Sequence, residues 1–132
     1  MSSATHHDLK ALVAHPGWGE LDYESVAGKK EKEFEGKKVS REWYNGTAPC
    51  SSPPTSPPTE SCDEFPFFAT VQGGPLATPP PSLEYIDKAD NGNQGGLYGN
   101  FVTSCHLATR VHFVFVALPP TLGIPTGYFC NE

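Results

Sequence analysis

The segment Cys62-Asp63-Glu64-Phe65-Pro66-Phe67-Phe68-Ala69-Thr70-Val71-Gln72-Gly73-Gly74 limits the fold more than any other stretch of the chain. It begins as a strand, but Pro66 ends any regular ladder almost at once. Gly73-Gly74 then permits a tight turn or a close backbone approach. Strand alternation sends Asp63 and Glu64 to opposite faces, so one can enter a cleft while the other meets water or supports it. Alone, this dipeptide reads as a solvated acidic pair at a strand end. A second stretch, Asp90-Asn91-Gly92-Asn93-Gln94-Gly95-Gly96-Leu97-Tyr98-Gly99-Asn100, gives the pair a partner rich in the same kinds of polar group.

Taken together, the two stretches resemble the bacterial NucA/NucB deoxyribonucleases. The resemblance rests on Cys62 to Phe67, Gln72 to Gly74, Asp90-Asn91, Gln94 to Gly96 and Asn100. The run Thr109 to Val116 looks like the family's closing strand. It implies an α+β fold: a small mixed sheet with a core like that of the ββα-metal nucleases, loop-rich and clipped by disulfides. The strand bearing Asp63, a strand over 83–86 and a helix over 93–104 supply the order β, β, α. The expected organisation is a single nuclease domain over 1–132. Its motif-bearing core is 62–118, and its Pro-rich loops lie at 46–61 and 75–81.

Phosphodiester hydrolysis needs an activated water, a neutralised phosphate and a stabilised departing 3′ oxygen; one hard divalent ion serves the last two. The resemblance assigns Asp63 as general base and Asn91 as metal ligand. Glu64 is a further catalytic or metal-binding candidate, and Asn100 a third metal ligand. Gln94, Arg110 and Gln72 are candidates for substrate binding. Oxygen ligands favour Mg²⁺ or Mn²⁺. The implied function is metal-dependent, largely non-specific hydrolysis of DNA. A toxin domain of a larger exported protein, with an inhibitory immunity protein as partner, is a variant of it. The rival class is a non-catalytic secreted binding module with an aromatic patch of Phe65, Phe67, Phe68 and Tyr98.

Charge runs against the nuclease. The net charge is −6 and the pI near 5.3, so nucleic acid is not held by bulk attraction. Six of the nine basic residues, Lys29, Lys30, Lys32, Lys37, Lys38 and Arg41, fall between 24 and 44. They alternate with glutamates in a broken amphipathic helix or a hairpin. This is the candidate phosphate-facing surface, and equally a solvated face of internal ion pairs.

With 13 glycines and 14 prolines, much of the chain must be loop. Cys50, Cys62, Cys105 and Cys130 show no zinc-site spacing. An even count in such a chain suggests two disulfides and an oxidising compartment. The pairing Cys50–Cys62 and Cys105–Cys130 is preferred, since each clips a loose segment; four buried thiols are the alternative. No signal peptide is visible, so an exported protein here is a mature form or an excised domain, and no apolar run suits a membrane.

A short helix is predicted over 5–14 with Leu9, Leu12 and Val13 on one face, and Pro16-Gly17 stops it. Asn91 or Asn93 is the expected cap of the second helix, with Leu97 and Phe101 on one face four residues apart. Its glycines suggest close packing against something. Val111 to Leu118 is the strongest strand, followed by a loose tail to Cys130. His6 and His7 read as incidental, and His106 and His112 as structural. Asn45-Gly46-Thr47 matches a glycosylation acceptor, as many chance tripeptides do.

Overall fold

The structure, a computed structural model, describes residues 2–26, 30–54, 58–117 and 127–130. Two helices and seven short strands make a mixed α/β fold. Helix α1 (Ser3–Ala14) is followed by β1 (Glu20–Asp22), β2 (Glu31–Phe34) and β3 (Lys37–Ser40). Then come β4 (Glu60–Phe65), β5 (Ser82–Asp87), α2 (Lys88–Ser104), β6 (His112–Val116) and β7 (Gly127–Cys130). In place of one mixed sheet there are three small ones, β1-β6-β7, β2-β3 and β4-β5. Every strand pairing is antiparallel.

The charged 24–44 region resolves as a hairpin. Glu35 and Gly36 have φ of 50° and 77°, the left-handed pair that a two-residue turn between twisted strands requires. Its surface is not uniformly basic, because Lys32 is buried. The Lys32 ammonium donates to the carbonyls of Thr70 (2.6 Å) and Gly73 (2.9 Å) and lies 4.8 Å from the centre of the Phe68 ring. Burial lowers its pKa to about 8. Lys32 therefore ties β2 to the loop after β4 and does not face a phosphate. Lys29 lies outside the described residues.

Helix α1 packs Leu9 and Leu12 against the core as expected, but its most buried stripe is a different one. Val13 is 73% exposed, while Ala4, His7, Asp8 and Ala11 are buried. Two small residues one helical period from a polar pair let the helix approach the β4-β5 hairpin closely. Hydrogen bonds then replace apolar contacts there. Helix α2 begins at Lys88, five residues earlier than expected. Its cap is Asp87, whose carboxylate accepts from the Ala89 and Asp90 amides. Strand β5 thus runs straight into the helix. Leu97 is exposed, and Tyr98 is the buried residue of α2. The α2 glycines do not pack tightly: a Cβ added at Gly92, Gly95, Gly96 or Gly99 meets nothing within 4 Å.

The core lies between the β1-β6-β7 sheet, the start of the β4–β5 loop and α2. Leu21, Phe65 and Phe113 are fully buried, with Phe115 and Trp18 beside them. Phe65 meets Phe67 edge-on at 5.1 Å between ring centres, and Phe67 meets Tyr98 at 4.9 Å. Phe65, Phe67, Phe68 and Tyr98 are all interior, so the exposed aromatic patch of the binding-module reading does not form.

Both disulfides pair as preferred, Cys50–Cys62 and Cys105–Cys130. The first closes a segment of 12 residues and is worth about 3 kcal/mol through the unfolded chain. The second joins the end of α2 to β7, so the expected loose tail is a paired strand over 127–130. Residues 118–126 lie outside the described part.

Gly73 is a residue this fold cannot exchange. A Cβ there would sit 2.0 Å from the Phe67 carbonyl oxygen, and a backbone atom cannot rotate aside. Gly73→Ala is expected to lose at least about 3 kcal/mol of stability, the upper range for overpacking. Chemical denaturation of the purified variant measures it directly.

Candidate active site

Strand alternation gives Asp63 and Glu64 different neighbours. Asp63 pairs with Glu84 across the hairpin and reaches α1, where His7 Nδ1 lies 2.6 Å from its Oδ2. Glu64 reaches the turn of 3-10 helix over Arg41–Gly46 and accepts from the Trp43 indole N–H at 3.1 Å. Both acids nevertheless border one cavity of about 470 Å³, a volume within the range of small-molecule clefts. Arg41 and Tyr44 form part of one wall; Asn91, Gln94, Gly95 and Gly99 on α2 form another. Because those two glycines carry no side chain, the α2 backbone itself is part of the lining.

Burial shapes the chemistry of both acids. It raises the Asp63 pKa, and the hydrogen bond from His7 opposes the rise. It raises the Glu64 pKa to about 7, against the pull of Trp43 and Lys32. Each is a carboxylate with too little positive charge nearby to be comfortable as an anion. Arg41 is the cationic side chain that borders the cavity among the described residues.

Asn91 is anchored by its amide nitrogen, which donates to Ser61 Oγ (2.8 Å) and to the Cys62 carbonyl (2.9 Å). Its carbonyl oxygen is left over on a residue that borders the cavity. Gln94 borders it too and donates to Asp8. The other expected site residues lie elsewhere. Asn100 is exposed and outside the lining; nine positions along a helix put it about 13 Å and half a turn from Asn91. Gln72 holds β1, accepting from the Asp22 amide and donating to the Asp22 carboxylate. Arg110 pairs with Glu24 at 3.0 Å. Asp90 accepts from the Ser3 amide and hydroxyl at the start of α1, which lowers its pKa.

The group that sequence reasoning set aside is His7 with Asp8. Both are buried, and with Asp63 they form the one cluster of three His, Cys, Asp or Glu side chains, among the described residues, close enough to share an ion. Yet both imidazole nitrogens already have partners, Asp63 on one side and Ser82 Oγ at 2.9 Å on the other. Asp8 Oδ1 is buried with no hydrogen-bond partner. Burial, then the charge of Asp63, raises the Asp8 pKa well above its usual value, which favours a neutral acid. A histidine and an aspartate embedded in an alanine stripe of helical period were the available signal. His112, by contrast, sits 3.3 Å from Asp22 in the structural role expected, and His6 is exposed.

Cys105 is bridged, so it offers no free thiol beside His106. No helix among the described residues is long and apolar enough to cross a membrane. Searches of curated proteins and of solved structures found no match to the chain. A family model described as Deoxyribonuclease NucA/NucB matches residues 23–116. That span holds the hairpin with Asp63 and Glu64, all of α2 and β6. It covers well over half of the sequence, and the chain therefore belongs to the NucA/NucB deoxyribonuclease family.

Proposed function

We propose that this protein hydrolyses DNA phosphodiester bonds in the cavity bordered by Asp63, Glu64 and Asn91, with the help of a divalent ion. The observation that carries the reading is the convergence of two carboxylates and an anchored amide from the family's two motifs on one cleft. The order β4, β5, α2 agrees with the ββα-metal core expected from sequence.

The residues present suit an ion with hard oxygen ligands, Mg²⁺ or Mn²⁺. Burial leaves the Glu64 carboxylate poorly compensated as an anion despite Lys32 and Arg41, and the Asn91 amide nitrogen is bound to β4, which leaves its carbonyl oxygen for an ion. These two side chains would hold the ion; Asn100 stands too far away to join them. When bound, the ion neutralises the phosphate and stabilises the departing oxygen.

The remaining work belongs to the chain. Asp63, which borders the cavity, takes the proton from the attacking water. Arg41 offers its guanidinium to a phosphate oxygen, and a planar fork of donors suits that acceptor. Gln94 supplies an amide beside the same cleft. With the chain acidic as a whole, substrate retention falls to this local arrangement, which makes cleavage strongly dependent on salt and on the ion. Two disulfides suit an exported enzyme. A toxin role with an immunity partner is compatible with this and adds nothing to the chemistry.

Supercoiled plasmid incubated with the oxidised protein tests the reading. Nicking and linearisation are expected with Mg²⁺ or Mn²⁺, and none in EDTA. Plasmid that stays intact with every common divalent ion would overturn it.

A further inference from the structure

Helix α1 lies outside the segment that matches the family, yet it delivers a side chain to the residue read above as the base. His7 is 1% exposed and Asp63 is 5% exposed. The imidazole bridges both strands of the β4-β5 hairpin. Its Nδ1 lies 2.6 Å from Asp63 on β4, and its Nε2 lies 2.9 Å from the Ser82 hydroxyl on β5. Residue Ser82 stands opposite Phe65 in the register, two positions along the strand from Asp63.

Asp63 must be ionised to act as a base, so it can only accept, and Nδ1 carries a proton that it donates to Oδ2. In a neutral ring Nε2 carries the lone pair, and the Ser82 hydroxyl donates to it. We infer that His7 is the positioning residue of this nuclease: it engages Oδ2 and holds the Asp63 carboxylate in one rotamer.

The same geometry argues against His7 as an ion ligand, since neither nitrogen has a free lone pair. It also argues against a Ser82–His7–Asp63 nucleophilic triad: Ser82 does not line the cavity that Asp63 borders. The rest of the helix supports the placement. Lys10 pairs with Glu84, Asp8 accepts from Gln94, and Ser3 donates to Asp90. Four side chains of α1 thus engage β4, β5 and α2, which leaves His7 little freedom to move.

The inference rests on Asp63 being the base, and the test separates the two. In the oxidised full-length protein, His7→Leu removes the donor at similar bulk. His7→Asn returns an N–H near the position of Nδ1. Plasmid nicking in Mn²⁺ gives kcat and KM, calorimetry gives Mn²⁺ affinity, and circular dichroism gives Tm. His7→Leu is expected to lower kcat on the order of 10–100-fold, the usual loss when an orienting partner is removed. KM and Mn²⁺ affinity should stay within about twofold, and His7→Asn should recover most of the turnover.

Parental kcat in His7→Leu would overturn the inference, as would a His7→Asn variant no better than His7→Leu. Loss of Mn²⁺ binding together with turnover would make His7 a ligand, also against it. Should His7→Leu not fold, Ser82→Ala decides, because it removes only the hydroxyl bonded to Nε2; unchanged kcat there would count against the inference. If Asp63→Asn itself retains full turnover, the reading of the base fails first, and this inference with it.

Discussion

Asp63→Asn is expected to cut turnover on plasmid DNA by about 10²–10⁴-fold, the share a positioned general base contributes. The substitution keeps the shape of the side chain. An amide oxygen still accepts from His7 Nδ1, so the buried link to α1 survives. What disappears is the capacity to take a proton. The ion, assigned to Glu64 and Asn91, should still bind. Asn91→Ala is expected to fail differently: it weakens ion affinity, and raised Mn²⁺ restores part of its activity. Calorimetric titration of both variants beside plasmid nicking reads out the contrast. Loss of the ion in Asp63→Asn, with the ion retained in Asn91→Ala, would exchange the two roles.

Phe65→Ala is expected to destabilise the protein by about 3–5 kcal/mol, the usual range for a buried phenylalanine. Phe65 has no exposed surface and packs against Trp18, Phe67 and Phe115 at ring-centre distances of 6.2, 5.1 and 5.2 Å. These neighbours come from separate parts of the chain, so no one segment can collapse to fill the cavity. Small proteins have about 5–15 kcal/mol of total stability, and this loss takes a large share of it. Equilibrium denaturation, with both disulfides intact, gives the value. A change below about 1 kcal/mol would mean that the core repacks around the gap.

The parts of the fold legible in the sequence are those with local causes. Alternation around Asp63 and the apolar run that becomes β6 act within a few residues, and the cysteines bracket segments of only 12 and 25 residues. What could not be read depends on distant partners. His7 appeared incidental because its reason for burial, Asp63, is 56 residues away. Gln72 belonged to a motif suggestive of substrate, but its partner Asp22 is 50 residues away. The start of α2 was placed late because glycine's weak helix propensity hid a helix that Asp87 caps and that β4, β5 and α1 support. Of Leu9, Leu12 and Val13, the two leucines do pack against the core and Val13 does not; the pattern could not reveal that His7 and Asp8 dock the helix through hydrogen bonds.

Those four open glycines in α2 bear on the order of assembly. Each costs about 1 kcal/mol relative to alanine in a helix interior, and none is compensated by a tight contact at its Cβ position. A segment this poor in helix formers does not nucleate by itself in water. It becomes helical once β5 delivers Asp87 to its first turn and the aromatic core receives Tyr98. The wall of the cleft that carries Asn91 and Gln94 is therefore a late product of folding. With strands unpaired or cysteines unjoined, the chain would hold Asp63 and Glu64 but lack the α2 wall that completes the cleft.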